Sequence, residues 1–162
     1  MFHLTKEGIP YGTIILGSRA TWLDRHAAEE LRSYVKKLSG AILIITHERY
    51  ASSIEGGKIL IGRASTSDIV GAFAAHYPDV LPEESDTEND CVAYAVRGDT
   101  LVISGSNDRS VYYSVCHLLQ TEFGVGFYWD RDVFEKKRSL SLPDGLTLQE
   151  RSEFKMRHTI GQ

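Results

Sequence analysis

The 162-residue chain is 42% hydrophobic and 25% charged, the mix of an ordinary globular domain long enough to bury most of its unfolded surface without staples. Its formal net charge of −4 offers no basic footprint for nucleic acid or an anionic membrane, and no apolar run approaches the ~20 residues that span a bilayer. Two cysteines are too few for a disulfide framework: Cys91 and Cys116 read as buried free thiols, with a single disulfide as the alternative. The start, "MFHLTKEGIPYGTIILG", lacks the charged, apolar and small-residue sequence of a signal peptide. The compartment stays open between secreted, periplasmic and cytoplasmic.

In chain order, Thr13 to Leu16 is a short β-branched run and reads as a strand. Thr21 to Leu38 reads as a helix. Thr21 with Asp24 resembles a capping box, and Leu23, Ala27, Leu31, Tyr34, Val35 and Leu38 share one side at helical spacing. Gly40 ends it. Ala41 to Thr46 is apolar on both faces and is expected to be a central strand. The strand Lys58 to Ile61 follows, then a helix expected to start at a box formed by Ser65 and Asp68 and to stop before Pro78. "PEESDTEND" (Pro82 to Asp90) reads as an acidic, solvated loop. Cys91 to Arg97 and Thr100 to Ser104 form a hairpin around Gly98-Asp99. A last helix, Arg109 to Phe123, ends at Gly124. "FYWDRDVF" and "SLSLPDGLTLQ" read as extended pieces. Strands outnumber helices and one connection is a hairpin. The expected fold is therefore α+β: a two-layer sandwich of a mixed, mainly antiparallel sheet with helices packed on one face.

Three strand-to-helix corners, "IILGSRATWLDRHAAEEL", "KILIGRASTSDIVGAF" and "LVISGSNDRSVYYSV", have the outline of a phosphate cradle. A dinucleotide fingerprint needs three spaced glycines, and each corner has one: Gly17, Gly62 and Gly105. "GGKIL" places its strand after the lysine, the reverse of a Walker loop. The corners therefore read as scaffold, and no cofactor is expected.

The six histidines form no metal-ligand spacing, so no metal is expected. His26, with Glu29 and Glu30, lies near the charged side of its helix. His117 follows Cys116 directly, and consecutive helical side chains point about 100° apart, which argues against a thiol–imidazole pair. Asp86, Glu88 and Asp90 alternate like calcium ligands but lack the glycine and distal glutamate of an EF-hand loop. "GVGFYWDRD" concentrates Phe127, Tyr128 and Trp129. Tyr128 and Trp129 are candidate sugar contacts, with core packing or a neighbouring domain as the alternative use of such rings.

Two features suggest a missing neighbour. Val111, Tyr112, Val115, Cys116, Leu118, Leu119 and Phe123 cover roughly 160° of the last helix, and Tyr113 widens the arc, so either the helix is deeply buried at home or its far side packs on a body absent from the chain. Near the C-terminus, Phe154, Met156, His158 and Ile160 alternate with polar residues as in a strand. Tyr112, Tyr113, Cys116 and Phe123 are the candidate domain-interface residues, and low stability or self-association of the domain alone is expected.

As an ordered series, "AAEELRSYVKKLSG", "KILIG", "GDTLVISGSNDRSVYYSVCHLLQTEFGVGFYWDRD" and "LSLPDGLTLQERSEFKMR" resemble the non-catalytic N-terminal domain that precedes the catalytic barrel in bacterial alpha-glucuronidases and beta-N-acetylhexosaminidases, the hexosaminidase domain 2-like fold. Where that family often opens its last helix with Arg-Gly, this chain has Arg109-Ser110. The resemblance implies a sheet with two helices sandwiched against the barrel. Residues 1–150 would be the accessory domain, and 151–162 the linker and first strand of the barrel. That fold is sometimes grouped with zincins, but the zinc motif is missing here, so no peptidase activity is implied. The family's acid and base carboxylates sit on the barrel, so no catalytic residue is carried over. The implied partners are the chain's own C-terminal catalytic barrel and a polysaccharide, not nucleic acid or membrane. The alternative is a carbohydrate-binding module using the aromatics at 127–129. A free-standing enzyme with a carboxylate pair in a cleft is the third reading.

Overall fold

The computed structural model describes residues 1–85, 90–128 and 130–151. In chain order the elements are β1 (Phe2–Lys6), β2 (Ile9–Pro10), β3 (Gly12–Leu16), α1 (Trp22–Ser39), β4 (Ile45–His47), a 3-10 turn (Glu48–Ser53), β5 (Gly57–Ile61), α2 (Asp68–His76), β6 (Cys91–Arg97), β7 (Thr100–Gly105), α3 (Asp108–Phe123), β8 (Gly126–Phe127), β9 (Asp132–Val133), β10 (Leu140–Leu142) and β11 (Thr147–Arg151).

The main sheet has the order β11-β6-β7-β5-β3-β4. β11, β6 and β7 pair antiparallel, while β7, β5, β3 and β4 run parallel. With β10-β1-β2 and the β8–β9 hairpin, five of the eight described pairings are antiparallel, as a mixed α+β sheet requires. Beyond the Gly17 corner α1 carries the chain back as a crossover, so β4 lies parallel to β3, whereas after the Gly62 corner and α2 the chain returns as β6, antiparallel to β7.

Period-two alternation sorts the strands onto two buried faces. Ile14, Ile59, Ile61, Leu101, Ile103, Tyr94 and Val96 point into the larger core. There they meet Ala27, Leu31 and Val35 of α1 and Val111, Val115 and Leu119 of α3. β1 and β10 close one end of that core with Phe2, Leu4, Leu140 and Leu142. Their in-between neighbours Ile15, Leu60, Val102 and Ala95 face the opposite side, where short α2 supplies Val70 and Phe73. The two long helices thus share one face, and α2 shields part of the other.

α1 forms as its sequence dictates. The Thr21 hydroxyl accepts the Asp24 amide at 3.1 Å, and Asp24 returns a 3.1 Å bond to the Thr21 amide. Gly40 ends it at φ +83°, a left-handed position that costs glycine little. Three expectations need correcting. Residues 41–46 are not a central strand: only Ile45–His47 pairs, at the sheet edge, with Ile42 and Ile44 turned outward at 56% and 66% exposure. α2 is capped by Ser67, because the Ser65 hydroxyl instead donates to Glu84. β1 and β2 were not foreseen, being too short for a periodic signal.

Candidate functional site

The three glycine corners converge at one end of the parallel strands, where open α/β sheets commonly hold ligands. Here that end is filled by the chain itself. A Cβ on Gly17 would fall 2.1 Å from the Thr66 carbonyl oxygen, and one on Gly105 would fall 2.5 Å from Ser110 Cβ. These glycines let the corners pack against the segments facing them. The helix N-termini are capped internally by Thr21, Ser67 and Asn107, and Asp24, Asp68 and Asp108 occupy the first turns. Carboxylates already sit where a phosphate would bind.

Arg63, just beyond β5, is likewise paired with the chain's own carboxylates, while its buried Nε has no hydrogen-bond partner among the described residues. One guanidinium nitrogen donates to Glu84 at 3.0 Å and another to Asp108. Asp24, fully buried nearby, has its carboxyl pushed up, by burial first of all. Glu48 couples two corners: Oε2 accepts the Ser18 amide, and Oε1 accepts the Ile69 amide at 2.9 Å. Burial alone would raise its pKa, but these backbone bonds, Ser18 first, hold it below the ordinary glutamate range. Asp90, expected in a solvated loop, is instead fully buried. It accepts Asn107 Nδ2 at 2.7 Å and Arg109 Nη2 at 3.1 Å, which ties the chain before β6 to the start of α3. Asp86 and Glu88 lie outside the described residues. No group of three or more His, Cys, Asp or Glu side chains among the described residues could hold a metal.

Of the four candidate interface residues, three are buried within the chain: Tyr113 at 7% exposure, Cys116 at 1% and Phe123 at 3%. The arc on α3 is wide because it meets both the sheet and α1. Burial first, then the charge of Glu30, pushes the Cys116 thiol up to about 12, so it is an inert apolar filler. The cysteines are both free. Tyr112 alone of the four keeps surface, and it belongs to an arrangement the sequence did not disclose. Trp22 stacks on His26 (5.1 Å between ring centres, 9° between planes), and His26 stacks on Tyr112 (5.0 Å, 16°). This ladder bridges α1 and α3 and ends in a Trp22 ring that is 65% exposed. The Trp22/His26 spacing of i, i+4 was its one readable sign.

On α3, His117 points away from Cys116, as consecutive helical positions require. Its Nδ1 lies 3.2 Å from the Tyr94 hydroxyl and its Nε2 3.4 Å from Glu150, so it pins β11 to α3. Tyr94 also donates to Glu122 at 2.9 Å. Its phenol is pushed up by burial and by that carboxylate, so it stays protonated and serves structure. In the exit hairpin, Phe127 packs edge-on against Tyr34 at 5.2 Å, and Tyr128 is 60% exposed. Trp129, the other candidate sugar contact, lies outside the described residues, as do residues 152–162 with the expected strand through Phe154, Met156, His158 and Ile160.

No helix among the described residues is long and apolar enough to cross a membrane. No family model matches the sequence, and no curated protein matches it. Among solved structures, a family GH115 4-O-methyl-alpha-glucuronidase with specificity for decorated arabinogalactans aligns over 92% of this chain and 18% of its own, at TM-score 0.63 and 15% identity. A second solved chain, CpGH84D, aligns over 91% of this chain and 20% of its own at TM-score 0.46 and 14% identity. This chain therefore spans less than a fifth of the glucuronidase it matches, and what the two share is a fold.

Proposed function

We propose that this chain is a non-catalytic N-terminal accessory domain of a bacterial glycoside hydrolase, either of the hexosaminidase kind or, the case favoured by the fold match, of the alpha-glucuronidase kind that acts on a uronate-decorated polysaccharide. Residues 1–150 form the domain body, and 151–162 lead into a (β/α)8 catalytic barrel. The observation that carries this reading is the fold shared with a minor part of a glucuronidase chain. Two features of the site support it. The end of the sheet suited to a ligand is occupied by the chain's own carboxylates and guanidinium. The helix layer also presents an aromatic ladder ending in an exposed indole, as a docking face would.

A second reading, a carbohydrate-binding module using the 127–129 aromatics, has one observation in its favour, the exposed Tyr128 ring. The experiment is to express residues 1–151 alone and the whole reading frame that contains them, then assay uronic-acid release from glucuronoxylan and arabinogalactan. Release only by the longer protein is expected. Turnover by residues 1–151 alone, or a reading frame with no barrel, contradicts the proposal.

A further inference from the structure

At the end of α1 opposite the polar corners, four cations converge on one groove of about 400 Å³. Lys36 and Lys37 come from the last turn of α1, and Lys136 and Arg138 from the segment between β9 and β10. Gly8 and Gly40 shape the walls, and among the described residues no carboxylate lines it. Among the described residues, the acid paired with any of the four is Asp132, 3.9 Å from Lys37 Nζ, and that carboxylate also accepts the Tyr34 hydroxyl. Lysines in a last helical turn complement the helix dipole, which accounts for Lys36 and Lys37. It does not account for two further cations brought in from about a hundred residues away, in a chain of net charge −4.

The frame holding these charges is rigid. The Lys137 amide donates to the Leu38 carbonyl at 2.8 Å, and the Gly8 amide donates to the Arg138 carbonyl at 2.8 Å. The Arg138 guanidinium donates to the Glu7 carbonyl at 2.7 Å, where it crosses the turn at Gly8; a Cβ there would lie 2.8 Å from Nη2. The groove's volume falls in the range of small-molecule sites, about 300–1,000 Å³, and exceeds what one inorganic anion fills.

We propose that this groove binds a uronate-bearing oligosaccharide, whose carboxylates pair with Lys36, Lys136 and Arg138. The ligand class rests on the proposed role in breaking down an acidic polysaccharide; the site itself rests on the four cations and the groove. It would hold the domain on decorated segments of the polymer, remote from the Trp22–His26–Tyr112 ladder.

The test is calorimetric titration of the 162-residue chain at 50 mM and 200 mM salt with tetragalacturonate, neutral xylotetraose, sulfate and a single-stranded DNA decamer. Tetragalacturonate should bind with a millimolar or tighter Kd that weakens several-fold at the higher salt, and at least tenfold tighter than xylotetraose or sulfate. The double variant Lys36→Gln/Lys136→Gln removes two charges that have no ion pair among the described residues. It should keep its unfolding midpoint and lose at least tenfold in affinity; Arg138→Lys should lose less. Several results overturn the proposal: no heat at 10 mM tetragalacturonate, equal binding of xylotetraose or sulfate, tighter binding of the DNA, or an unaffected double variant. Because the isolated chain is measured, such a failure leaves the accessory role standing. Failure to find a barrel removes that role without removing a measured affinity.

Discussion

Glu48 shows how much a single side chain can organise here. Its two oxygens accept amides from the corner after β3 and from the first turn of α2, a bridge invisible in sequence because it links positions 18, 48 and 69. Its pKa in the folded protein is lowered. Its stabilisation is therefore fully present above the ordinary glutamate value, and is lost as pH falls through the lowered folded one. Urea unfolding between pH 6 and pH 3 should show the parent losing about 1 kcal/mol more than Glu48→Gln across that range. Parallel pH profiles would show that the bridge carries no charge-dependent stability. Sequence spacing foretold the Thr21–Asp24 box because both partners lie within one turn. It could not foretell Asp90, whose burial depends on Asn107 and Arg109 across a hairpin.

Elements whose signals are local were legible. α1, the β6–β7 hairpin and the Gly124 stop of α3 all follow from periodicity, turn chemistry and a left-handed cap. The errors arose where an apolar run had more than one home. "AILII" reads as a central strand, yet only its alternate residues Ala41 and Leu43 are buried, and the outward isoleucines leave β4 at the edge. The wide arc on α3 reads equally as a helix buried at home or as one facing another body, and α1 covers much of it. The α3 corner supplies the sharpest test at this scale. Gly105→Ala would force a contact 2.5 Å from Ser110 Cβ and should cost about 1–3 kcal/mol. Asn107→Ala removes the cap and one partner of buried Asp90, and should cost about 2–3 kcal/mol. Phosphate should protect neither the parent nor the variants against urea. A phosphate-dependent rise in the unfolding midpoint would revive the cradle reading that the capped and acid-filled helix starts contradict.

At the scale of the whole molecule, the chain divides its polar chemistry by end. Carboxylates and guanidinium groups pair with one another at the corner end, lysines gather at the other, and the aromatic ladder lies on the helix layer. That distribution suits a scaffold with binding faces better than a cleft that performs chemistry. The α+β fold was legible in the ordered series of motifs, and it is the fold that the chain shares with the glucuronidase structure. The ladder was not, because its third ring, Tyr112, comes from a different helix.

The central claim, that the helix layer docks on a catalytic body, is tested most directly through Trp22. Trp22 is 65% exposed in the domain, so hydroxyl radicals should oxidise it readily. Its oxidation rate, read residue by residue from peptide mass spectra, is compared between residues 1–162 and the same residues joined to whatever the gene encodes after Gln162. At least a threefold slower oxidation of Trp22 in the longer protein is predicted, reversed by unfolding. Equal rates in both would contradict docking through this face.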